Sequence, residues 1–321
     1  MKPPGRLLLL TLAMGLSVSL SLHANSGNIQ THKPVPVADT IVENNEDSIL
    51  TQLNLEYLNG VNNHHTPFEL IPIIEEILVL DPLHYTHWFN LGLENMKIHK
   101  YNLAIIALER GLALYPASEK RSLVQVYASL SFCYNKVLKH QKEKEILDTA
   151  SRYYPDHPGI TGRYAICAHS RMRYHEAEAH LQDLTIILRK EGYNESDIAF
   201  YIGKLYLNND YLEAEKYFRV ALQYDPQNVE KQGALAWVLI RDALKINEGM
   251  DLIEQAIAAD PDNPTLLHQQ GYGFYVKGRY QEALFNLYRA RDLYIEYNYD
   301  LFGHIRLVED AIARSENQLH P

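Results

Sequence analysis

Cysteine is almost absent from this chain: its 321 residues include two, Cys133 and Cys167, too few for a disulfide framework to carry the fold. Basic residues are outnumbered, 30 Lys and Arg against 40 Asp and Glu, for a formal charge of −10. That balance excludes the electrostatic footprint of a nucleic-acid binder and points to partners that are basic or neutral overall. Long apolar runs are missing as well. The one uncharged apolar stretch, Leu7 to Leu22, falls short of the roughly 20 residues a spanning helix prefers, so stable membrane insertion is not expected once that stretch is removed.

The motifs of site chemistry are equally scarce. The 15 histidines invite a metal reading, and His175-Glu176 with His180 comes nearest to a zinc-protease helix. It fails on spacing, because two histidines must stand at i and i+4 to share a helix face, and position 179 is Ala. His84 with His87, and His64 with His65, lie at turns and offer no third ligand. Gly271 and Gly273 lack both a further glycine at nucleotide-binding spacing and a preceding strand, so they read as helix-packing positions. No nucleophile comes with its own base and orienting group. The sequence therefore predicts a protein that is not an enzyme and carries neither cofactor nor metal.

Met1 to Arg6 is a short positive segment followed by the apolar run, the pattern of a secretory signal peptide over residues 1–24 with cleavage after Ala24. An uncleaved anchor is the alternative, since Leu22 is large for its place before the cut. Either way the remainder is expected outside the cytoplasm, periplasmic or secreted. No cysteine follows the run, which argues against a bacterial lipoprotein anchor. Residues 25–46, with Pro34, Pro36, Asn44 and Asn45, read as a disordered linker.

What fills the rest is a repeat. Xaa-Pro pairs that close a helix recur at Asp81-Pro82, Tyr115-Pro116, Tyr154-Pro155, Asp225-Pro226 and Asp260-Pro261, at intervals of roughly 35 residues or twice that. A turn phrase recurs with them: Tyr101 with Ala104, Tyr174 with Ala177, Tyr211 with Ala214, Tyr280 with Ala283. Between Pro264 and Ala290 the unit is complete. One helix carries Leu267, Gly271 and Phe274 on a stripe, Gly278 ends it in a left-handed turn, and a second carries Ala283, Leu287 and Ala290. Gly271 should face Ala283 and let the two backbones approach. The resulting array spans 47–298, with repeats at about 48–82, 84–117, 121–156, 158–191, 196–227, 229–263 and 264–298, and a C-terminal capping helix within 299–321 that places Ile305, Val308 and Ile312 on one face. In the third repeat Glu143 stands where the small residue belongs, which predicts a looser pair.

Trp88, Leu91, Gly92, Ala104 and Pro116 stand at the spacings of the tetratricopeptide repeat, with Asn95 in place of the usual Tyr and Leu108 in place of the usual Phe. The chain resembles that family over the whole array. The resemblance implies an all-α, right-handed solenoid of about seven helix pairs whose first helices line a concave, ligand-binding surface. Carried over by spacing, that surface holds Tyr201, Lys204, Asn208, Trp237, Arg241, His268, Tyr272 and Tyr275. Aromatic rings beside bases suit a partner protein or peptide. The chaperone-tail clamp of related proteins is not expected, because Leu55, Gln125 and Ser129 occupy its basic positions. The functional expectation is an interaction scaffold or assembly factor of the bacterial cell envelope, with an accessory role in guiding an envelope polysaccharide as the alternative. Cys133 and Cys167, at equivalent places in adjacent repeats, are expected as buried free thiols, since packed helix axes about 8 to 10 Å apart exceed disulfide reach.

Overall fold

The computed structural model describes residues 39–63, 65–116, 123–242, 245–297 and 304–319, with the side chains of 39–46 and 304–307 left aside. Among them every regular element is an α-helix, and the fold is an all-α helical-repeat solenoid. The signal segment 1–24 and Ile305 lie outside the described residues or side chains, as does His64. The helices come in pairs: α1 Asp39–Asn62 with α2 Pro67–Leu80, α3 Tyr85–Lys97 with α4 Tyr101–Leu114, α5 Val124–Lys136 with α6 His140–Tyr153, α7 Pro158–Ser170 with α8 Tyr174–Lys190, α9 Glu195–Tyr206 with α10 Tyr211–Tyr224, α11 Val229–Arg241 with α12 Ile246–Ala259, and α13 Pro264–Val276 with α14 Tyr280–Glu296. A final helix, α15 His304–Leu319, follows. The first helix begins at Asp39, inside the stretch expected to be a linker; residues 25–38 are outside the described part.

The chain divides into two compact units within α5, Leu16–Cys133 and Tyr134–Pro321.

In the first unit Tyr57 of α1, Leu70, Ile74 and Ile77 of α2, Leu91 of α3 and Ala107 of α4 form the core. Pro67 opens α2, and Glu69 Oε2 accepts from the Thr66 backbone N–H at 2.7 Å, the reciprocal half of the expected capping box. Gly92 is required by close approach: a methyl group there would lie 2.5 Å from Leu108 Cγ.

In the second unit, α9 and α10 pack around Phe218, Ala214 and Ala221, joined by Leu184 and Leu188 of α8. Having no proline to stop it, α8 runs on through Ile187 and Leu188, as the sequence predicts. Further along, Ile253, Leu267, Phe274, Leu287, Ala290 and Tyr294 form a second cluster, and Val308 and Ile312 of α15 complete it. The last helix thus covers the final apolar face. A methyl at Gly271 would sit 3.2 Å from the Ala283 carbonyl oxygen, which places these two residues opposite one another as expected. Gly278 takes φ +73°, and the backbone N–H of Arg279 reaches back to the Phe274 carbonyl at 2.9 Å, closing α13. Asn194, Asp210, Asn228 and Asn263 cap α9, α10, α11 and α13 with side-chain oxygens.

Candidate interaction surface

Adjacent first helices of the second unit are held side by side. Lys231 of α11 is buried, and its ammonium donates to Ser196 Oγ at 2.8 Å, Asp197 Oδ1 at 2.7 Å and Asp225 Oδ2 at 3.1 Å, joining α9 to α11. Leu266 of α13 fills the space above Gly233 of α11. Residues at equivalent positions of α11 and α13 therefore meet.

On this scaffold the structure assembles five of the eight expected residues. Trp237 stacks obliquely on Tyr272, ring centroids 5.2 Å apart, and lies 6.2 Å from His268. Tyr272 continues to Tyr275 at 6.4 Å, and Tyr275 to Tyr280 at 5.7 Å. All five rings are half-buried. The exposed guanidinium of Arg241 sits over the Trp237 ring at 5.4 Å and over the Tyr211 ring at 5.0 Å. Arg241 has no carboxylate within ion-pair distance among the described residues, so its charge is balanced by aromatic faces and solvent. Tyr211 and Tyr280 belong to the cluster although the sequence reading did not include them. Both open second helices, and their place directly after the turn, where the two helices of a pair converge, is the signal that would have found them.

The other three expected residues stand apart. Tyr201 is a correction: it is 3% exposed, its hydroxyl is enclosed, and burial raises its pKa well above the ordinary phenol value, aided by Tyr193 and Glu191. It is a core residue of α9, because its position on the helix points toward the preceding repeat. Lys204 lies over the Phe200 ring at 4.3 Å, with Glu230 3.5 Å from its ammonium, so an acid of the same unit already answers its charge. Asn208 is exposed, and its backbone carbonyl accepts from the Lys136 ammonium.

The histidine phrase of α8 is not brought together either. His180 stacks on Tyr164 at 5.1 Å, and His175 is exposed. Among the described residues no group of three or more His, Cys, Asp and Glu could hold a metal ion, and no helix is long and apolar enough to cross a membrane. Cys133 and Cys167 are both buried, and neither forms a disulfide.

The paired helices, their left-handed Gly278 turn and the Gly271–Ala283 contact are the features that decide the fold type. It is an all-α helical-repeat fold of paired helices. No family model and no curated protein matches the chain. Among solved structures the chain is similar to a tetratricopeptide repeat protein from Parabacteroides merdae, 14% identical with a TM-score of 0.45, over 83% of this chain and 98% of that one. It is also similar to yeast Tom70, 12% identical with a TM-score of 0.41 over 79% and 59% of the two chains. A third likeness is to the TPR2AB domain of yeast Sti1 in its complex with pHSP90, 17% identical with a TM-score of 0.35 over 84% and 99%. These likenesses concern the fold alone.

Proposed function

We propose that this protein is a non-enzymatic interaction scaffold of the bacterial cell envelope, exported from the cytoplasm, and that it binds a protein or peptide on the first-helix face of α11 and α13. The observation that carries this reading is the cluster of Arg241, Trp237, Tyr272 and Tyr275. Its rings are half-buried, and its one cation lacks an acidic partner among the described residues. A partner segment laying an apolar side chain against Trp237 and a carboxylate against Arg241 would desolvate both, the combination that concentrates interface energy in a few residues. The partner as a whole is basic or neutral, since the chain carries −10, while local charge governs the contact itself within a screening length of about 8 Å. Export rests on the positive, then apolar, N-terminal pattern.

The test uses the full chain as bait in its native compartment, with the captured partner then titrated against purified protein. Tyr272→Ala and Trp237→Ala should each weaken partner affinity by about 2 kcal/mol if they are anchors, beyond the modest loss of melting temperature that removing a half-buried ring packed on the core brings. Loss of melting temperature with affinity intact would make them packing residues. Retention of envelope glycan without any protein partner would replace the reading with that of a polysaccharide guide. Export is checked separately by a reporter that folds only outside the cytoplasm, fused behind Pro321, which should be active.

A further inference from the structure

Three turns of the second unit share one backbone design. In each, the residue two places beyond the first helix adopts a left-handed conformation: Leu138 at φ 59°, Met172 at 58° and Gly278 at 73°. The hydrogen bonds are the same each time. Leu138 N–H donates to the Asn135 carbonyl at 3.0 Å and Lys139 N–H to the Tyr134 carbonyl at 2.8 Å, and Met172 and Arg173 repeat this with His169 and Ala168 at 2.8 and 2.9 Å. Glycine takes this conformation without penalty, whereas a bulky side chain is strained there. Yet leucine and methionine occupy it in consecutive repeats. Packing does not repay the strain, because each side chain is 77% exposed.

Their surroundings have a sign opposite to that of the chain. Lys139 follows Leu138, and Arg171 and Arg173 flank Met172, in a molecule whose net charge is −10. Neither Lys139 nor Arg171 stands in an ion pair among the described residues, and Arg173 meets only Glu176, at 3.2 Å on the surface. Tyr174, directly after Arg173, is also exposed. Apolar tips, flanking bases and a tyrosine thus line one edge, the turn edge of the third and fourth repeats.

We infer that this edge docks peripherally on an anionic lipid surface, with Leu138 and Met172 entering the headgroup boundary, Lys139, Arg171 and Arg173 meeting lipid phosphates, and Tyr174 at the interface. Protein anchors work by filling packed pockets; these two side chains instead stand out from the surface, where a fluid layer accepts them. Bases beside an anionic leaflet and amphipathic rings at the interface are the complementary features such a surface rewards. The inference is independent of the face carrying Trp237.

The full chain is mixed with vesicles of phosphatidylcholine alone or of phosphatidylcholine with phosphatidylglycerol, and oxidation of Met172 by hydrogen peroxide is followed by mass spectrometry. This local readout is insensitive to any anchoring by the N-terminal apolar run. Phosphatidylglycerol should slow Met172 oxidation about fivefold or more relative to phosphatidylcholine alone, with high salt removing the protection. The double variant Leu138→Gly with Met172→Gly fits the left-handed turns better than the parent, so its melting temperature should hold or rise. Its preference for the anionic vesicles in flotation should nevertheless fall roughly tenfold. Equal oxidation rates with both vesicles, or an undiminished preference in the double variant, would overturn the proposal. So would protection of Met172 by soluble polyglutamate and not by anionic vesicles, which would assign the edge to an acidic protein.

Discussion

The second helices α14 and α6 solve one packing problem in opposite ways. At the point where a second helix comes closest to its first, α14 has Ala283, fully buried, against Gly271. At the equivalent place α6 has Glu143, also fully buried. Its carboxylate accepts from Arg163 Nη2 of α7 at 2.9 Å and from Asn135 Nδ2 at 2.9 Å, with His140 Nδ1 at 3.3 Å. Asn135 in turn reaches Ser170 Oγ at 3.0 Å. The apolar slot needs only small size, and any neighbour of the right volume completes it. The ionic slot needs a full set of partners drawn from two repeats, so one helix pair depends on its neighbour for satisfaction. A buried ion pair of this kind adds little net stability over apolar packing, but breaking one half of it is costly.

The largest expected effect follows from that asymmetry. Arg163→Met should destabilise the second unit by about 3 kcal/mol, because the buried Glu143 carboxylate loses the guanidinium that pairs with it. Adding Glu143→Ala on top should recover most of the loss, since it converts the ionic slot into the apolar form seen at Ala283. Urea unfolding of the parent, both single variants and the double variant makes the measurement. Additive effects across the cycle would show that the two residues do not act as a pair and would erase the contrast.

The apolar slot should respond to volume instead. Gly271→Ala brings a methyl within 2.7 Å of Leu287 Cγ and 3.2 Å of the Ala283 carbonyl, and the backbone oxygen has little room to yield. A loss of about 1 to 3 kcal/mol is expected, visible as a lower melting temperature in helical circular dichroism. An unchanged melt would mean that the pair is looser than its geometry, and that small size is not what the position requires.

This contrast also marks the limits of sequence reading. Helix pairing was legible because Xaa-Pro stops and Gly or Ala contacts act locally: Pro264, Gly271, Gly278 and Ala283 each do in the structure what their chemistry demands. Glu143 read as a defect in the pattern, for a carboxylate's worth depends on Arg163, twenty residues on and in another repeat, which no local rule supplies. The same holds at the candidate surface. Spacing placed Trp237, Arg241, His268, Tyr272 and Tyr275 near one another correctly, since repeat period sets which helices are adjacent. It misplaced Tyr201, because Tyr201 stands two places before the close-packed Gly203, whereas Trp237 and Tyr272 each stand one place after Ala236 and Gly271, on a different face. The strained Leu138 and Met172 turns were invisible for a further reason, since only the Gly278 turn announces its conformation by residue type.

The smallest effect is a chemical one, and it separates local opening of the ionic slot from global unfolding. Cys167 of α7 lies in this neighbourhood, with its thiol 3.9 Å from the His140 carbonyl. Burial pushes its pKa up from 9.0 to about 12, and the negative charge of Glu143 adds to the shift. At pH 8 the native thiolate fraction is then roughly a thousandfold below that of a free cysteine, and the thiol should be inert to a disulfide reagent. The sign in alkali follows from the same shift. Below pH 9 both folded and unfolded thiols are protonated, and no penalty arises. Between about 9 and about 12 the unfolded chain releases a proton that the native state keeps, so stability falls as pH rises through that window. Reaction with an aromatic disulfide at pH 8 should therefore proceed in the parent only as fast as the fold opens. Arg163→Met should speed it by loosening the slot, whereas Gly271→Ala, acting in a different pair, should leave the local opening unchanged and add only its share of global unfolding. Equal acceleration by both variants would show that the second unit opens as one cooperative block, and that its two kinds of slot differ in chemistry but not in local stability.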